Sequence, residues 1–192
     1  MSGVWMTLKL GEARTSASDP LKIAELPVPG GGVVGLSFCP GKKQARAMTG
    51  SWNRDLDADL DAIRRWGAEH VITLVEPLEL VELSVPTLGD SVARRGMSWW
   101  HLPIVDGAPP DAGWLDRWRH VEPVVLESLM AGGKVFVHCK GGLGRAGTVA
   151  AMLLLSSGSA VRGVVERVRS VRPGAIETAE QEQFLLNRGL PD

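Results

Sequence analysis

Apolar and polar residues recur along this chain with two periods, and the switches between them mark its elements. Val33 to Phe38 is short, apolar and rich in β-branched residues, and Pro40 and Gly41 close it as they would close a strand. From Asn53 to Trp66 the apolar Leu56, Leu60 and Ile63 stand at i, i+4 and i+7, the spacing of one helix face, and Gly67 ends the run. His70 to Val75 and Met97 to Pro103 read as buried strands, and Leu78 to Arg95 between them is helical in spacing but broken at Pro86. Trp114, Trp118, Val121, Val125 and Leu129 mark a helix closed by Gly132 and Gly133, and Lys134 to Val137 is the next strand. Three helical pieces follow: Arg145 to Ser156, Ala160 to Val171 and Glu177 to Arg188. Before Val33 lies a looser lead-in with a polar run, Thr15 to Asp19, then Pro27, Pro29 and three glycines. Residues 1–32 are thus expected as an N-terminal extension packed on a domain of residues 33–192. Strands alternating with helices predict an α/β fold, a mostly parallel central sheet flanked by helices on both faces.

Composition narrows the function. A chain of 192 residues holds one domain and one sizeable core. Net charge is −1, with 44% hydrophobic and 22% charged residues, which disfavours a broadly basic surface for nucleic acid or membrane. The longest apolar stretch, Thr148 to Leu155, falls short of the ~20 residues that span a bilayer, and Met1 to Leu10 lacks the apolar core of a secretory signal. A soluble, cytoplasmic protein is expected. Cys39 and Cys139 are far apart, with no Cys-x-x-Cys or His-x-x-x-His spacing, so neither a disulfide scaffold nor a metal site is indicated.

The chemistry concentrates in Val135-Phe-Val-His138-Cys139-Lys140-Gly141-Gly142-Leu143-Gly144-Arg145-Ala146-Gly147-Thr148, a strand entering a glycine-rich turn and then a helix. Glycines let consecutive backbone N–H groups turn inward, and the helix start adds its unpaired amides and the positive end of its dipole. Phosphate oxygens suit such a cradle of residues 140–145. A cysteine at its mouth is expected as a nucleophilic thiolate, and Arg145 can grip two phosphoryl oxygens with its planar fork. The same residues also fit the dinucleotide fingerprint Gly-x-Gly-x-x-Gly through Gly142, Gly144 and Gly147. That fingerprint needs a second strand ending in an acid roughly 20 residues on. Here the chain offers an amphipathic helix with Val161, Val164, Val165 and Val168 on one face and Glu166 within it.

His138, Cys139 and Arg145 match the His-Cys-x5-Arg signature, and the chain resembles the cysteine-dependent dual-specificity protein phosphatases, within them the kinase-associated branch. Pro103-Ile-Val-Asp106-Gly-Ala-Pro-Pro-Asp111 resembles that branch's general-acid loop, Gly174-Ala-Ile-Glu-Thr-Ala-Glu-Gln181 its glutamine-bearing loop, and Phe38-Cys-Pro-Gly-Lys42 a further segment, so the likeness covers about residues 33 to 188. It implies the protein tyrosine phosphatase fold, hydrolysis through a phosphocysteine, no metal or organic cofactor, and a phosphorylated protein, a kinase among the possibilities, as substrate and partner.

The resemblance assigns Cys139 as nucleophile, Arg145 as phosphate ligand and Asp106 as general acid. Asp111 is expected as the N-cap of the helix through Trp114. Gln181 either orients the attacking water or faces solvent, and His138 supports the cysteine or is a satisfied core histidine. Lys140 either adds positive potential at the loop or points into solvent. Arg172 contacts a substrate phosphate or caps the preceding helix, the cap being preferred. Cys39 is either a small hydrophobe at a strand end or the resolving partner of an oxidised Cys139.

Two departures stand out. The family usually places Ser or Thr after the arginine, where this chain has Ala146, and Thr148 is expected on another helix face. The chain contains no tyrosine, so the Tyr that deepens phosphotyrosine-specific pockets is missing. A shallower pocket that admits phosphoserine and phosphothreonine as well as phosphotyrosine is expected.

Overall fold

The alternating pattern becomes a five-stranded sheet. A computed structural model describes residues 13–47 and 50–188. The sheet strands are β1 (Ala24–Pro27), β2 (Val33–Phe38), β5 (Ala68–Thr73), β6 (Ser98–His101) and β7 (Lys134–Cys139), in the order β1-β2-β7-β5-β6. All neighbours are parallel except β1, which pairs antiparallel with β2 at the edge. The lead-in therefore contributes a strand of its own: Leu26 is fully buried and Pro27 sits on an edge, where its missing N–H costs no ladder bond. An antiparallel pair, β3 (Lys43–Ala47) and β4 (Gly50–Asn53), fills the segment between Gly41 and α1, where the sequence pattern marks no strand.

Seven helices complete the described chain: α1 (Leu56–Trp66), α2 (Pro77–Glu82), α3 (Leu88–Ala93), α4 (Ala112–Met130), α5 (Gly144–Ser156), α6 (Val164–Val171) and α7 (Ala179–Asn187). Asp55 caps α1 by accepting from the Ala58 N–H at 2.7 Å, and Gly67 closes it in the left-handed region at φ 99°. The helical reading from Ala160 starts too early, because Gly163 adopts φ 84° and α6 begins only after it. That from Asn53 also begins early, since Asn53 belongs to β4. Pro86 separates α2 from α3 as expected. Among the described residues no helix is long and apolar enough to cross a membrane.

Two cores lie on opposite faces of the sheet. Leu60 and Ile63 of α1, Val92 of α3, Val71 and Phe136 pack on one face. Trp114, Trp118 and Leu129 of α4, with α5, α6 and Val135 and Val137, pack on the other. Alternation along β7 sends Val135, Val137 and Cys139 to one face and Phe136 and His138 to the other. The carboxyl ends of β2, β7 and β5 converge where Phe38 pairs with Cys139 and Thr73 with His138, the place where open parallel sheets present their ligand crevice.

Candidate active site

β7 ends at Cys139, and the next residues turn tightly enough to aim an amide at its sulfur. The Gly142 N–H lies 3.2 Å from Cys139 Sγ. Gly142 adopts φ 72°, and a Cβ there would overlap the backbone of Ser37 and Phe38, so the turn needs glycine for both conformation and space. Cys139 is 3% exposed and Cys39 is fully buried, and both are free thiols. Burial pushes the Cys39 thiol well above its ordinary pKa, against the pull of Lys42, which keeps it protonated.

Arg145 opens α5 beside this cradle and is 1% exposed. Its Nη1 donates to Glu79 Oε2 at 2.6 Å and to the Ile104 carbonyl at 3.0 Å, and its Nη2 donates to Glu79 Oε1 at 3.0 Å. Burial works against the charge, but the Glu79 hydrogen bonds, with Cys139 and Asp106 nearby, hold Arg145 still more firmly protonated. Glu79 is likewise opposed by burial, and the bonds from Arg145 and from the Glu76 N–H keep its carboxyl below the usual range. Arg145 Nε has no partner among the described residues, so a buried guanidinium N–H is left for a ligand oxygen.

Asp106 follows β6 on an exposed turn, and its Oδ1 lies 2.9 Å from Arg145 Nη2. Asp111 is the N-cap of α4, accepting from the Trp114 N–H at 2.7 Å, as expected. Trp114 Nε1 donates to the Leu102 carbonyl, which ties α4 to the loop that carries Asp106.

Several expectations change in detail. Gln181 is fully buried and not solvent-facing: its Oε1 accepts from the Thr178 N–H at 3.4 Å in a capping box and from the Glu177 N–H at 2.9 Å, and its Nε2 donates to the Ala108 carbonyl at 3.3 Å on the Asp106 loop. Arg172 stands at the C-cap of α6, as expected, its backbone N–H donating to the Val168 carbonyl at 2.9 Å, while its side chain donates to the carbonyls of Gly142 and Gly141 and braces the loop from outside. Lys140 turns toward α2, with Nζ 3.9 Å from Glu79 and 3.8 Å from Glu82. Leu143 and Gly144 form the loop's entry into α5, and Gly141 has open space beside it. Thr148 is on another face, its hydroxyl spent on the Gly144 carbonyl at 2.9 Å, and Ala146 is fully buried in the core.

His138 is buried, with Nε2 2.8 Å from Thr73 Oγ1, which also accepts from Trp99 Nε1 at 2.8 Å. Burial pushes its pKa down to about 3, against a smaller upward pull from the Cys139 backbone, so the ring is neutral at physiological pH.

Sequence reading missed Glu79, Thr73 and Glu177. Glu177 Oε2 accepts from the Gly144 N–H at 2.7 Å, placing a carboxylate on one amide of the loop. Its only signal was its place in the segment before Gln181, and that of Glu79 was an acid three residues after Glu76 across Pro77. The fingerprint for a dinucleotide finds no second strand, since α5 leads to α6 and Glu166 stands inside that helix. Among the described residues no three His, Cys, Asp or Glu side chains gather as a metal site requires.

Comparison with known proteins bears on the family and the fold. The family model described as Swiss Army Knife protein, DSP-PTPase phosphatase domain, matches residues 44–185. Cyclin-dependent kinase inhibitor 3 of Rattus norvegicus is 33% identical over 180 residues, 91% of this chain and 81% of the relative. The Mus musculus protein of the same name is 33% identical over 134 residues, where the match spans 69% of this chain and 62% of the relative, less than two thirds of its length. A crystal structure of kinase associated phosphatase, with its catalytic-site cysteine substituted by serine, superposes with TM-score 0.75 at 27% identity over 90% of this chain and 99% of that one.

Proposed function

Because this chain belongs to the DSP-PTPase phosphatase family, we propose that it hydrolyses phosphate monoesters on phosphoproteins through a phosphocysteine on Cys139. The observation that carries this reading is the open N–H of Arg145 Nε, buried beside Cys139, with Asp106 2.9 Å from the same guanidinium. Nucleophile, anion cradle and proton donor then serve one phosphoryl group.

In the first step the Cys139 thiolate attacks phosphorus, the S–P bond forms and the P–O ester bond breaks. Asp106, protonated, passes its proton to the departing oxygen, which otherwise leaves poorly. Arg145 and the amides of residues 140–145 hold the equatorial oxygens. In the second step a water attacks phosphorus, the Asp106 carboxylate takes its proton, the S–P bond breaks, and thiolate and inorganic phosphate are released. His138 holds the strand end behind the cysteine, and Gln181 ties the Asp106 loop to the start of α7.

The absence of tyrosine supports acceptance of phosphoserine and phosphothreonine beside phosphotyrosine. The likeness to kinase associated phosphatase supports a phosphorylated kinase as one protein substrate. The test is hydrolysis of an activated aryl phosphate, inhibited by vanadate, and of a phosphorylated kinase by phosphate release. Cys139→Ser should abolish turnover while retaining phosphopeptide binding, because the alcohol is a weak nucleophile and the cradle survives. Residual activity within about tenfold of the native protein would overturn the covalent mechanism.

A further inference from the structure

Three large apolar side chains stand exposed on the two elements that hold Arg145: Leu78 at 77%, Val81 at 64% and Val105 at 62%. Leu78 and Val81 are three apart on α2 and so share a helix face, while Val105 immediately precedes Asp106. Arg145 ties the two elements together, since its Nη1 donates both to Glu79 on α2 and to the Ile104 carbonyl next to Val105. Exposed apolar side chains gathered in this way mark a contact surface.

Between α2 and the acid loop runs a groove of about 190 Å³, lined by Pro77, Val105, Ala108, Pro109 and Trp114. Val105 and Ala108 bracket Asp106, so the groove starts beside the carboxylate that serves as proton donor. The loop is fastened to the start of α7, Thr178 Oγ1 donating to the Gly107 carbonyl at 3.0 Å and Gln181 Nε2 to the Ala108 carbonyl, which leaves the groove preformed. Its volume is below the ~300–1,000 Å³ of small-molecule sites and suits one or two side chains of a polypeptide. Charge on this face has one sign: residues 76–93 and 102–116 carry acids but no Lys, Arg or His. Arg145 answers Glu79 and Asp106, and Lys140 lies 3.8 Å from Glu82. Glu76 and Asp111, which line the groove at the N-caps of α2 and α4, have no ion-pair partner among the described residues.

We propose that this groove reads the sequence around the phosphoresidue, receiving an apolar side chain of the substrate segment that has a Lys or Arg beside it. The proposal rests on the phosphatase reading of Cys139. The Arg145 guanidinium that holds the phosphoryl group also touches the groove at Ile104, and an extended segment rises ~3.3 Å per residue, so the apolar residue lies about two to four positions from the phosphoresidue. Leu78 and Val81 extend the apolar contact along α2, and the Glu76 and Asp111 carboxylates complement the neighbouring cation.

The test measures kcat/KM on phosphothreonine peptides that carry a Leu-Lys pair at two, three or four residues on either side, against versions with Asn in place of Leu or Glu in place of Lys. At the best placement the Leu-Lys peptide should exceed either version about tenfold, and the gain from Lys should shrink at high salt. Val105→Ser should cut the gain from Leu to about threefold or less, and Leu78→Ser, at an exposed position on another element, should lower it in the same direction. Asp111→Asn should cut the gain from Lys to about threefold or less, since Asn still caps α4 but carries no charge. An aryl phosphate without a peptide does not reach the groove, so its hydrolysis should change little in all three. Equal rates on all peptides, gains that survive the variants, a loss on the aryl phosphate as large as that on the peptides, or a dimer at assay concentration that Val105→Ser dissociates would overturn the proposal. Failure to hydrolyse the aryl phosphate and every peptide would instead overturn the phosphatase reading.

Discussion

Arg145 and Glu79, 66 residues apart in sequence, meet through two hydrogen bonds of 2.6 and 3.0 Å that fix the plane of the guanidinium. The fork holds one side of Arg145 still and leaves Nε without a partner among the described residues. Glu79, carried on α2, thereby orients the guanidinium.

Glu79→Gln should keep one acceptor but lose the charge-assisted pair, lowering kcat/KM by about 10- to 100-fold, while Glu79→Ala should also destabilise the fold by about 1–3 kcal/mol, because Arg145 loses two charge-assisted bonds and keeps Asp106 as its carboxylate partner. Steady-state kinetics beside urea melts separate the two effects. Gln must recover stability relative to Ala, and equal kinetics for the native protein and both variants would show that Arg145 needs no such support.

Asp106→Asn should lower kcat by ~10²–10⁴ and flatten the alkaline limb of the pH profile, with a smaller loss for aryl leaving groups that need no proton. Asp111→Asn should do neither, because that carboxylate caps α4. If Asp111 gave the leaving-group signature and Asp106 did not, the acid would sit five residues further on.

Ala146 offers the departing thiolate no hydroxyl, and Thr148 spends its own on Gly144. Breakdown of the phosphocysteine should therefore be slow, and an activated aryl phosphate should give a pre-steady-state burst. Ala146→Ser should raise kcat through a hydrogen bond to sulfur worth on the order of 1–3 kcal/mol, with little change in substrate binding. No burst and no gain together would refute the idea.

His138 links folding to pH. Its folded pKa of about 3 lies below the ordinary value of 6.5, so the unfolded chain binds the proton first and stability is lost as pH falls from about 6.5 toward 3. The slope from this group reaches about 1.4 kcal/mol per pH unit, or about 2 kcal/mol between pH 6.5 and 5. His138→Asn should be less stable at pH 7 but should lose that part of the slope in thermal melts. An unchanged slope would mean the ring already titrates in the folded protein.

The amino-acid sequence by itself determined the strand, glycine turn and helix around Cys139, because those depend on local conformation: glycine at the turn, β-branched residues before it, and helix-spaced apolar residues after it. It also determined α4, whose Trp114, Trp118, Val121, Val125 and Leu129 are buried as their spacing requires, and the cap at Asp111. What only the tertiary structure decided is who faces whom across long separations. Glu79 against Arg145 and Lys42 beneath the loop join elements that meet through the order β2-β7-β5, and Glu177 reaches Gly144 because α7 packs on α5. Periodicity reports which face of an element is buried, but it carries no information about which charged residue on a distant element that face will meet. The antiparallel edge strand β1 escaped for a related reason: four residues between prolines and glycines have too little pattern of their own, and pairing with β2 supplies the order.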